Sequence, residues 1–555
     1  MNSNIKHILI LVIALIAINF LSSKVFERFD LTSDKRYTLS ASSMSLIEDV
    51  KSRIIIDVFL EGEDFPSEFR RLKKETQQIL EEFSAENNNI IFNFINPIED
   101  DATRERNIQQ LTQRGLTPMQ LSVTESGKSS KAIIFPWALA SYNDQTVIIP
   151  LVKNKIGATQ QELVSNSVQH LEYAFADGFS KLTRPKKQKI AILKGNKQLE
   201  DKYIADFVKK IGEYYFIAPF TLDSVAKNPQ KTLKDLEDYD LIISAKPTEA
   251  FSEDEKLVLD QFTMKGGKSL WLIDAVIMEK DSLYNDNGSN VAIPRDLNLT
   301  DFFFKYGARI NPEMVSTLYS APITLAMGEG SQSQFQHLQW PYSPLAGSNS
   351  QHPIVNNINL VKFDFANQID TLKNDIKKTI LLQSAPLTKL EGTPRKVSLE
   401  LVTKEQNPQV FNDGNQNLAV LLEGEFQSVY SKRIKPFKLS TSKDKSAPTK
   451  MIIVADGDII KNDVIRNAPQ ELGFDRWTGQ TYGNKEFLLN AVNYLLDDNG
   501  LINIRSKEIA VTFLNQQKIG EEKTKWQLIN ILLPLVLLAI FGFAFNYIRK
   551  KKYAA

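Results

Sequence analysis

The sequence predicts an α/β protein held between two membrane helices. A thioredoxin-like domain lacking catalytic cysteines comes first, and a doubly wound, mostly parallel α/β domain follows. Three observations carry this reading. The run from Trp526 to Ile548 is apolar, with Tyr547 its only ionisable side chain, and Arg549, Lys550, Lys551 and Lys552 follow at once. Between the ends, β-branched strands alternate with amphipathic helices, the order that builds a largely parallel sheet. Cysteine is absent from all 555 residues, which removes disulfides, thiol nucleophiles, thiol redox chemistry and cysteine metal sites together.

As a helix the C-terminal run is about 35 Å long, enough for a hydrocarbon core of about 30 Å. Trp526 and Tyr547 stand at its ends, where amphipathic rings favour the headgroup level. Pro534 is tolerable there, because the freed carbonyl is re-satisfied locally or by a neighbouring helix. A second apolar run, Ile8 to Leu21, reads as an uncleaved signal anchor. Its exit, Asn19 to Lys24, offers no clear small-x-small cleavage site, and a cleaved signal peptide is the rival reading. Two spans put both termini on one side. The basic cluster favours a cytoplasmic C-terminus and an exported middle.

A chain this long exceeds one core, so about three folded units are expected. Hydrophobic and charged fractions of 42% and 24% are those of a globular protein, and the net charge of +1 gives nucleic acid no electrostatic handle. The segments expected are 1–27 as anchor, 28–158 as the thioredoxin-like domain and 159–185 as a bridging helix. Then come 186–505 as the doubly wound domain with loop insertions, 506–525 as tether, 526–548 as the second membrane helix and 549–555 as a basic tail.

Ser40 is an N-cap for a helix to about Lys51. A strand over Arg53–Leu60, a helix over Pro66–Glu86 and a strand over Ile90–Ile95 follow. A helix from Ala102 ends at Gly115, and strands are expected near Gln120–Thr124, Ala132–Phe135 and Thr146–Leu151. This order is thioredoxin-like, and without a Cys-x-x-Cys pair only a binding or assembly scaffold remains. The helix Gln161–Leu182, carrying Glu172 and Tyr173, bridges to strands Lys189–Leu193, Tyr215–Pro219, Leu241–Ala245 and Ser269–Asp274, with helices Lys202–Glu213 and Glu253–Lys265 between them. Gly328–Gln351, rich in Gly, Ser, Gln and Pro, reads as a long loop. Strands are expected over Ile380–Gln383, Ser398–Val402, Leu418–Leu422, Met451–Ala455 and Lys507–Leu514. A helix is expected over Glu486–Leu496, and Ser431–Lys450 reads as a basic polar loop.

Parallel sheets bind ligands beyond their strand carboxyl ends. That rule makes Asn196, Lys246, Asp274, Asp456 and Asp458 the candidate ligand-binding residues. Asp456 and Asp458 flank a glycine after a strand. They fit a divalent-cation site given further oxygen ligands, or more simply a strand-end turn capping backbone N–H groups. Gly267-Lys268-Ser269 resembles the end of a phosphate loop, but the glycine required five residues before Gly267 is Phe262, and the tripeptide leads into a strand. His7, His170, His337 and His352 form no metal-binding pair, and no Gly-x-Ser-x-Gly elbow exists. No catalytic, cofactor or metal residue is assigned, and an enzyme is not expected.

Several motifs resemble a known family. They are Asp30-Leu31-Thr32 with Arg36-Tyr37-Thr38-Leu39-Ser40, then Leu171-Glu172-Tyr173, then Leu421-Leu422-Glu423-Gly424 with Phe426, then Asp456-Gly457-Asp458. Tyr482-Gly483-Asn484-Lys485 with Phe487, and Leu501-Ile502 with Arg505-Ser506-Lys507, are the most specific. Together the chain resembles, nearly end to end, the gliding-motility-associated ABC transporter accessory subunit of Bacteroidota, often called its substrate-binding protein. The resemblance implies an inner-membrane protein with a periplasmic bulk, working with an ABC permease and an ABC ATPase. A homodimer stays open. The alternative function is a membrane-tethered sensor for an envelope sugar or metabolite. One departure is visible: where the family tends to show Gly-His-Gly-Glu, this chain has Gly195-Asn196-Lys197-Gln198.

Overall fold

The computed structural model describes residues 11–12, 15, 30, 38–62, 65–100, 102–125, 128–328, 333–497, 500–507 and 516–553. The expected first anchor and nearly all of the expected strand Lys507–Leu514 lie outside these residues. The chain divides into two units, 1–508 and 509–555.

The first unit opens with α1 (Ala41–Glu48), β1 (Ile54–Val58), α2 (Ser67–Glu86), β2 (Ile90–Phe94) and α3 (Arg104–Gln113). Ser40 caps α1 by accepting from the Ser43 N–H. Strands β3 (Met119–Glu125) and β4 (Lys128–Ile134) form a separate antiparallel ribbon, and β5 (Trp137–Tyr142) and β6 (Gln145–Pro150) complete a four-stranded sheet in the order β2-β1-β5-β6. β1 and β2 run parallel, and the other pairs run antiparallel. β5 was not expected. Its inward positions are the small residues Ala138 and Ala140, which leave no hydrophobic alternation to read.

Helix α4 (Gln160–Thr183) begins in a capping box in which Thr159 and Glu162 satisfy each other's backbone N–H groups. Its face carries Leu163, Val164, Leu171, Phe175 and Phe179, all buried, and Phe83 of α2 meets Phe179 edge-on at 5.1 Å. Next come β7 (Lys189–Lys194), α5 (Asp201–Ile211), β8 (Phe216–Thr221), α6 (Pro229–Leu236), β9 (Leu241–Ala245), α7 (Glu253–Met264) and β10 (Lys268–Leu272). An insertion holds β11 (Val276–Ile277), β12 (Ser289–Pro294), α8 (Thr300–Tyr306), β13 (Ala308–Thr317), β14 (Ser320–Met327), β15 (Gln334–Ala346), β16 (Val361–Lys362) and β17 (Asn367–Thr371). It is followed by β18 (Lys377–Gln383), β19 (Thr388–Gly392), β20 (Arg395–Ser398), β21 (Asn417–Gly424), β22 (Thr449–Val454) and α9 (Asn484–Leu496).

The main sheet has seven strands in the order β18-β21-β22-β10-β9-β7-β8. β8, β7, β9, β10 and β22 are mutually parallel, and β21 and β18 are added antiparallel. Alternate residues feed two cores. Ile190, Ile192, Ile243, Leu270 and Val454 pack with Phe207 of α5 and Phe487 and Leu488 of α9. Ala191, Leu193, Ile242, Trp271 and Ile453 pack with Leu233, Leu257, Phe262 and Phe302 of α6, α7 and α8. Each such aliphatic or aromatic side chain contributes about 1.5–3 kcal/mol of transfer free energy.

Three expectations are corrected. Residues 328–351 are not a loop throughout. β15 occupies Gln334–Ala346 against β14, because buried Trp340 and Tyr342 pack on Phe365 and override a composition poor in strand formers. Ser398–Val402 is not a strand. β20 ends at Ser398, whose hydroxyl accepts from the Glu400 N–H and starts a 3₁₀ turn over Leu399–Thr403. The tether is partly helical, since α10 (Gln516–Tyr553) begins ten residues before Trp526. Within α10, Gly520–Tyr553 is long and apolar enough to cross a membrane, its most apolar 18-residue stretch having a mean hydropathy of 2.6.

Two carboxylates, buried Glu172 and half-buried Glu486, join the four-stranded module to the larger one. Glu172 accepts from the Ser40 N–H at 2.6 Å, the Ser43 hydroxyl at 2.8 Å and Lys507 Nζ at 2.7 Å. Glu486 of α9 takes both Lys153 Nζ and Arg505 Nη2 at 2.6 Å. Burial, with Arg505 close by, lowers the Lys153 ammonium to about 8. Beside these groups lies a polar cavity of about 40 Å³ lined by Gln169, His170, Asn356, Asn357, Arg505 and Lys507, room for about one water. Truncating a buried carboxylate with three donors strands them. Glu172→Ala is therefore expected to lose about 2–3 kcal/mol in denaturant unfolding of the detergent-solubilised chain, and an unchanged midpoint would contradict this junction.

Candidate functional site

The parallel register sets Ala245, Leu272 and Val454 level with one another, so the chain leaves β9, β10 and β22 at one place. Lys246 follows β9 in the left-handed region, φ 54°, a conformation unfavourable for a side chain bearing Cβ, and its N–H donates to the Leu272 carbonyl at 3.0 Å. That turn sends the lysine across the strand ends. Asp274 lies two residues past β10, and Asp456-Gly457-Asp458 follows β22. Gly457 is required by close approach: a Cβ there would meet Lys246 Cγ at 2.4 Å and its Cα at 3.0 Å.

The Lys246 ammonium, only 3% exposed, is ringed by three carboxylates. Nζ lies 2.6 Å from Asp458 Oδ1, 2.8 Å from Glu279 Oε1 and 3.4 Å from Asp274 Oδ2. Glu279 comes from the insertion, just after β11. Burial acts against the lysine's charge, but Asp274, Asp458 and Glu279 more than offset it and hold Lys246 well above the ordinary lysine range. Burial also pushes the Asp274 and Glu279 carboxyls up, and Asp458 pushes further in the same direction. Asp274 additionally accepts the Gly457 N–H.

Asp456 sits one step behind. It is fully buried, and its oxygens accept the Asp458 N–H and the Asp364 N–H, each at 2.7 Å. It acts as the turn-holding carboxylate, while burial and the charges of Asp458 and Asp274 raise its pKa strongly. Asp364 in turn receives Lys280 Nζ at 2.9 Å and the Ser343 hydroxyl, with Lys362 at 3.8 Å. Burial opposes its charge, yet Lys280 and Lys362 hold it far below the usual carboxylate range.

Of the five residues expected at the strand ends, the fold brings Lys246, Asp274 and Asp458 into contact and places Asp456 in support. Asn196 lies apart. Its side-chain amide donates to Glu255 at 3.3 Å and its main-chain carbonyl accepts from the Thr248 and Glu249 N–H groups, so it closes the β7 turn against the start of α7. Sequence reasoning missed Glu279, Lys280, Ser343 and Asp364. They sit in the insertion, in no pattern that points back to a strand end. Asp274, Glu279 and Asp458 offer oxygens within 4.8 Å of one another, the spacing of a divalent-cation site, and the lysine ammonium stands among them. Gly267 leads directly into β10, as expected of a strand and not of a phosphate loop.

A family model described as an ABC-type uncharacterized transport system matches residues 187–491, and one described as a domain of unknown function matches 33–141. An uncharacterized protein of Borreliella burgdorferi strain B31 is 20% identical over 534 residues, covering 95% of this chain and 94% of its own. The solved mmIFT52 N-terminal domain aligns at 12% identity over 56% of this chain and 98% of its own, with a TM-score of 0.30, too low to bear on the fold.

Two outcomes test the site. Lys246→Met strands three carboxylates and is expected to cost about 3–5 kcal/mol at pH 7. Lysine with a raised pKa gives its full stabilisation below its ordinary value of 10.5, whereas the raised Asp274, Glu279 and Asp456 penalise the fold at neutral pH and are relieved as protons bind. The gap between wild type and Lys246→Met in chemical denaturation should therefore narrow from pH 7 to pH 4.5, and a gap that stayed constant would contradict the caged ammonium. Gly457→Ala, which drives a methyl into Lys246, should lower the melting temperature by several degrees, and a neutral result would contradict the close approach.

Proposed function

We propose that this chain, which belongs to the family described as an ABC-type uncharacterized transport system, is a non-catalytic, membrane-anchored accessory subunit of an ABC transporter. The observation that carries the reading is the strand-end crevice. Where an α/β binding domain would receive a ligand, this chain has placed its own Lys246 ammonium against three carboxylates. The groups with the right chemistry are engaged in holding the insertion to the sheet. Association with other subunits is then the work left for the folded unit.

The finer reading rests on the motifs and on α10. The four-stranded module is a thioredoxin-like scaffold without cysteines, the main sheet is doubly wound, and the N-terminal run is a second anchor. The bulk faces the periplasm, the basic end of α10 is cytoplasmic, and the partners are a separate permease and a separate ATPase, with a homodimer as a further arrangement. Support of gliding motility is the process that the resemblance favours. A second reading, capture of an envelope sugar or metabolite at Asn196, Lys246, Asp274, Asp456 and Asp458, is favoured by one observation: buried Asp458 Oδ1 accepts no well-directed hydrogen bond despite its short ion pair. A thermal-shift screen of envelope sugars that left the full-length protein unmoved would sink it.

The accessory reading is tested by a mild-detergent pull-down of the tagged full-length protein from native membranes, with the intact mass of the bait read alongside. Recovery of a permease and an ATPase with an uncleaved bait is expected. A lone bait, whatever its length, would count against the transporter reading.

A further inference from the structure

We propose that the loop between β21 and β22 is a docking surface for an anionic lipid bilayer, with Ile434 entering the headgroup layer and Lys432, Lys438 and Lys443 around it. The inference rests on the reading of α10 as a membrane span. Between β21 and β22, residues 425–448 hold six Lys and Arg against one Asp and one Glu, in a chain whose net charge is only +1. The positive charge is therefore concentrated here and balanced elsewhere.

Ile434 is 95% exposed, the most exposed large apolar side chain among the described residues. An apolar residue standing clear of the surface among cations matches the two parts of an interfacial anchor, an inserting side chain and a basic collar. Of the basic residues, Arg433 pairs with Asp301 at 2.6 Å and Lys435 lies 3.7 Å from Asp444, and Lys445 pairs with Glu425. Lys432, Lys438 and Lys443 are exposed and have no carboxylate partner among the described residues. Among the described residues, this loop thus carries three ammonium groups without a carboxylate partner together with the most exposed isoleucine.

The loop is also held in place. Phe437 and Leu439 pack against the core beneath α7, the Gln230 amide donates to the Lys438 carbonyl, and Gln261 both donates to the Lys443 carbonyl and accepts its N–H. Tyr430 donates to Glu253 at 2.7 Å. These ties fix both flanks, so little conformational entropy is lost when the tip docks.

Chain length supplies the occupant. From Glu508 to Trp526 the contour is about 40 Å even with residues 509–515 fully extended, so a spanning α10 keeps the folded unit at high local concentration beside one bilayer. Each lysine near an anionic surface then strengthens binding about fivefold, an effect that falls off within a Debye length of about 8–10 Å.

The absence of cysteine gives a direct test. The full-length Ile434→Cys protein, labelled there with an environment-sensitive fluorophore, is reconstituted into nanodiscs of neutral or of phosphatidylglycerol-containing lipid. A blue-shifted, brighter emission is expected in the anionic discs alone. It should be reversed by 0.5 M salt (about 4 Å of screening length) and lost in the Lys432→Glu, Lys438→Glu, Lys443→Glu background. A label at Ile55→Cys should report water in both discs. Aqueous emission from position 434 in anionic discs at low salt overturns the proposal, as does a shift that requires added partner subunits, which would assign the loop to an acidic protein face. Failure of the chain to enter discs at all refutes the spanning helix, and this proposal with it, and is distinguished by the absence of protein on the discs.

Discussion

A lysine ammonium removed from water must be surrounded by opposite charge, and much of this molecule's second module is arranged to do that for Lys246. The ammonium draws one carboxylate from the end of β10, one from the end of β22 and one from the insertion. Each lies on a different segment, so the ion cluster fixes three segments at once. Removing any partner leaves buried charge behind, which makes each single truncation in the cluster strongly destabilising. The left-handed Lys246 and the side-chain-free Gly457 are the local departures that the cluster requires.

The same logic recurs at the junction of the modules. Glu172 gathers donors from Ser40 and Ser43 at the start of α1 and from Lys507, just past a 3₁₀ turn over Leu501–Ser506, and Glu486 gathers Lys153 and Arg505. Several motifs that carry the family resemblance, scattered from Thr38 to Lys507 in sequence, meet in this one place. Glu172 and Tyr173 therefore serve the joint, with the Arg505 guanidinium 5.0 Å from the Tyr173 ring. A protein whose polar interior is committed to joining its own parts offers its surface, and its apolar C-terminal helix, for association. That fits an auxiliary role in an ABC-type transport system and a membrane location.

Much of the fold was legible in the sequence, because the central strands are continuous apolar runs flanked by clear stops. Leu241–Ala245, buried at every position, is an example, as is α7 with its capping box at Ser252 and Glu255. What was not legible had identifiable physical causes. α6 is a single short amphipathic segment that opens at Pro229 after its Asn228 cap, β5 is set by pairing with β1, far earlier in the chain, as well as with β6, and β15 by the packing of Trp340 and Tyr342 on Phe365. At the site, Lys246, Asp274 and Asp458 were readable from the strand-end rule alone. Glu279 and Asp364 were not, since an insertion is free to return to the sheet edge from any position. Asn196 obeyed the rule by position but faces its own turn.

Lys246 occupies the place that a bound cation would take among Asp274, Glu279 and Asp458. Isothermal titration of the full-length protein with calcium and magnesium, for wild type and for Lys246→Met, tests it most directly. No binding heat is expected from the wild type, and a divalent-cation site assembled from Asp274, Glu279 and Asp458 is expected in the variant. A wild-type site that binds either ion and is lost in Asp458→Asn would contradict it.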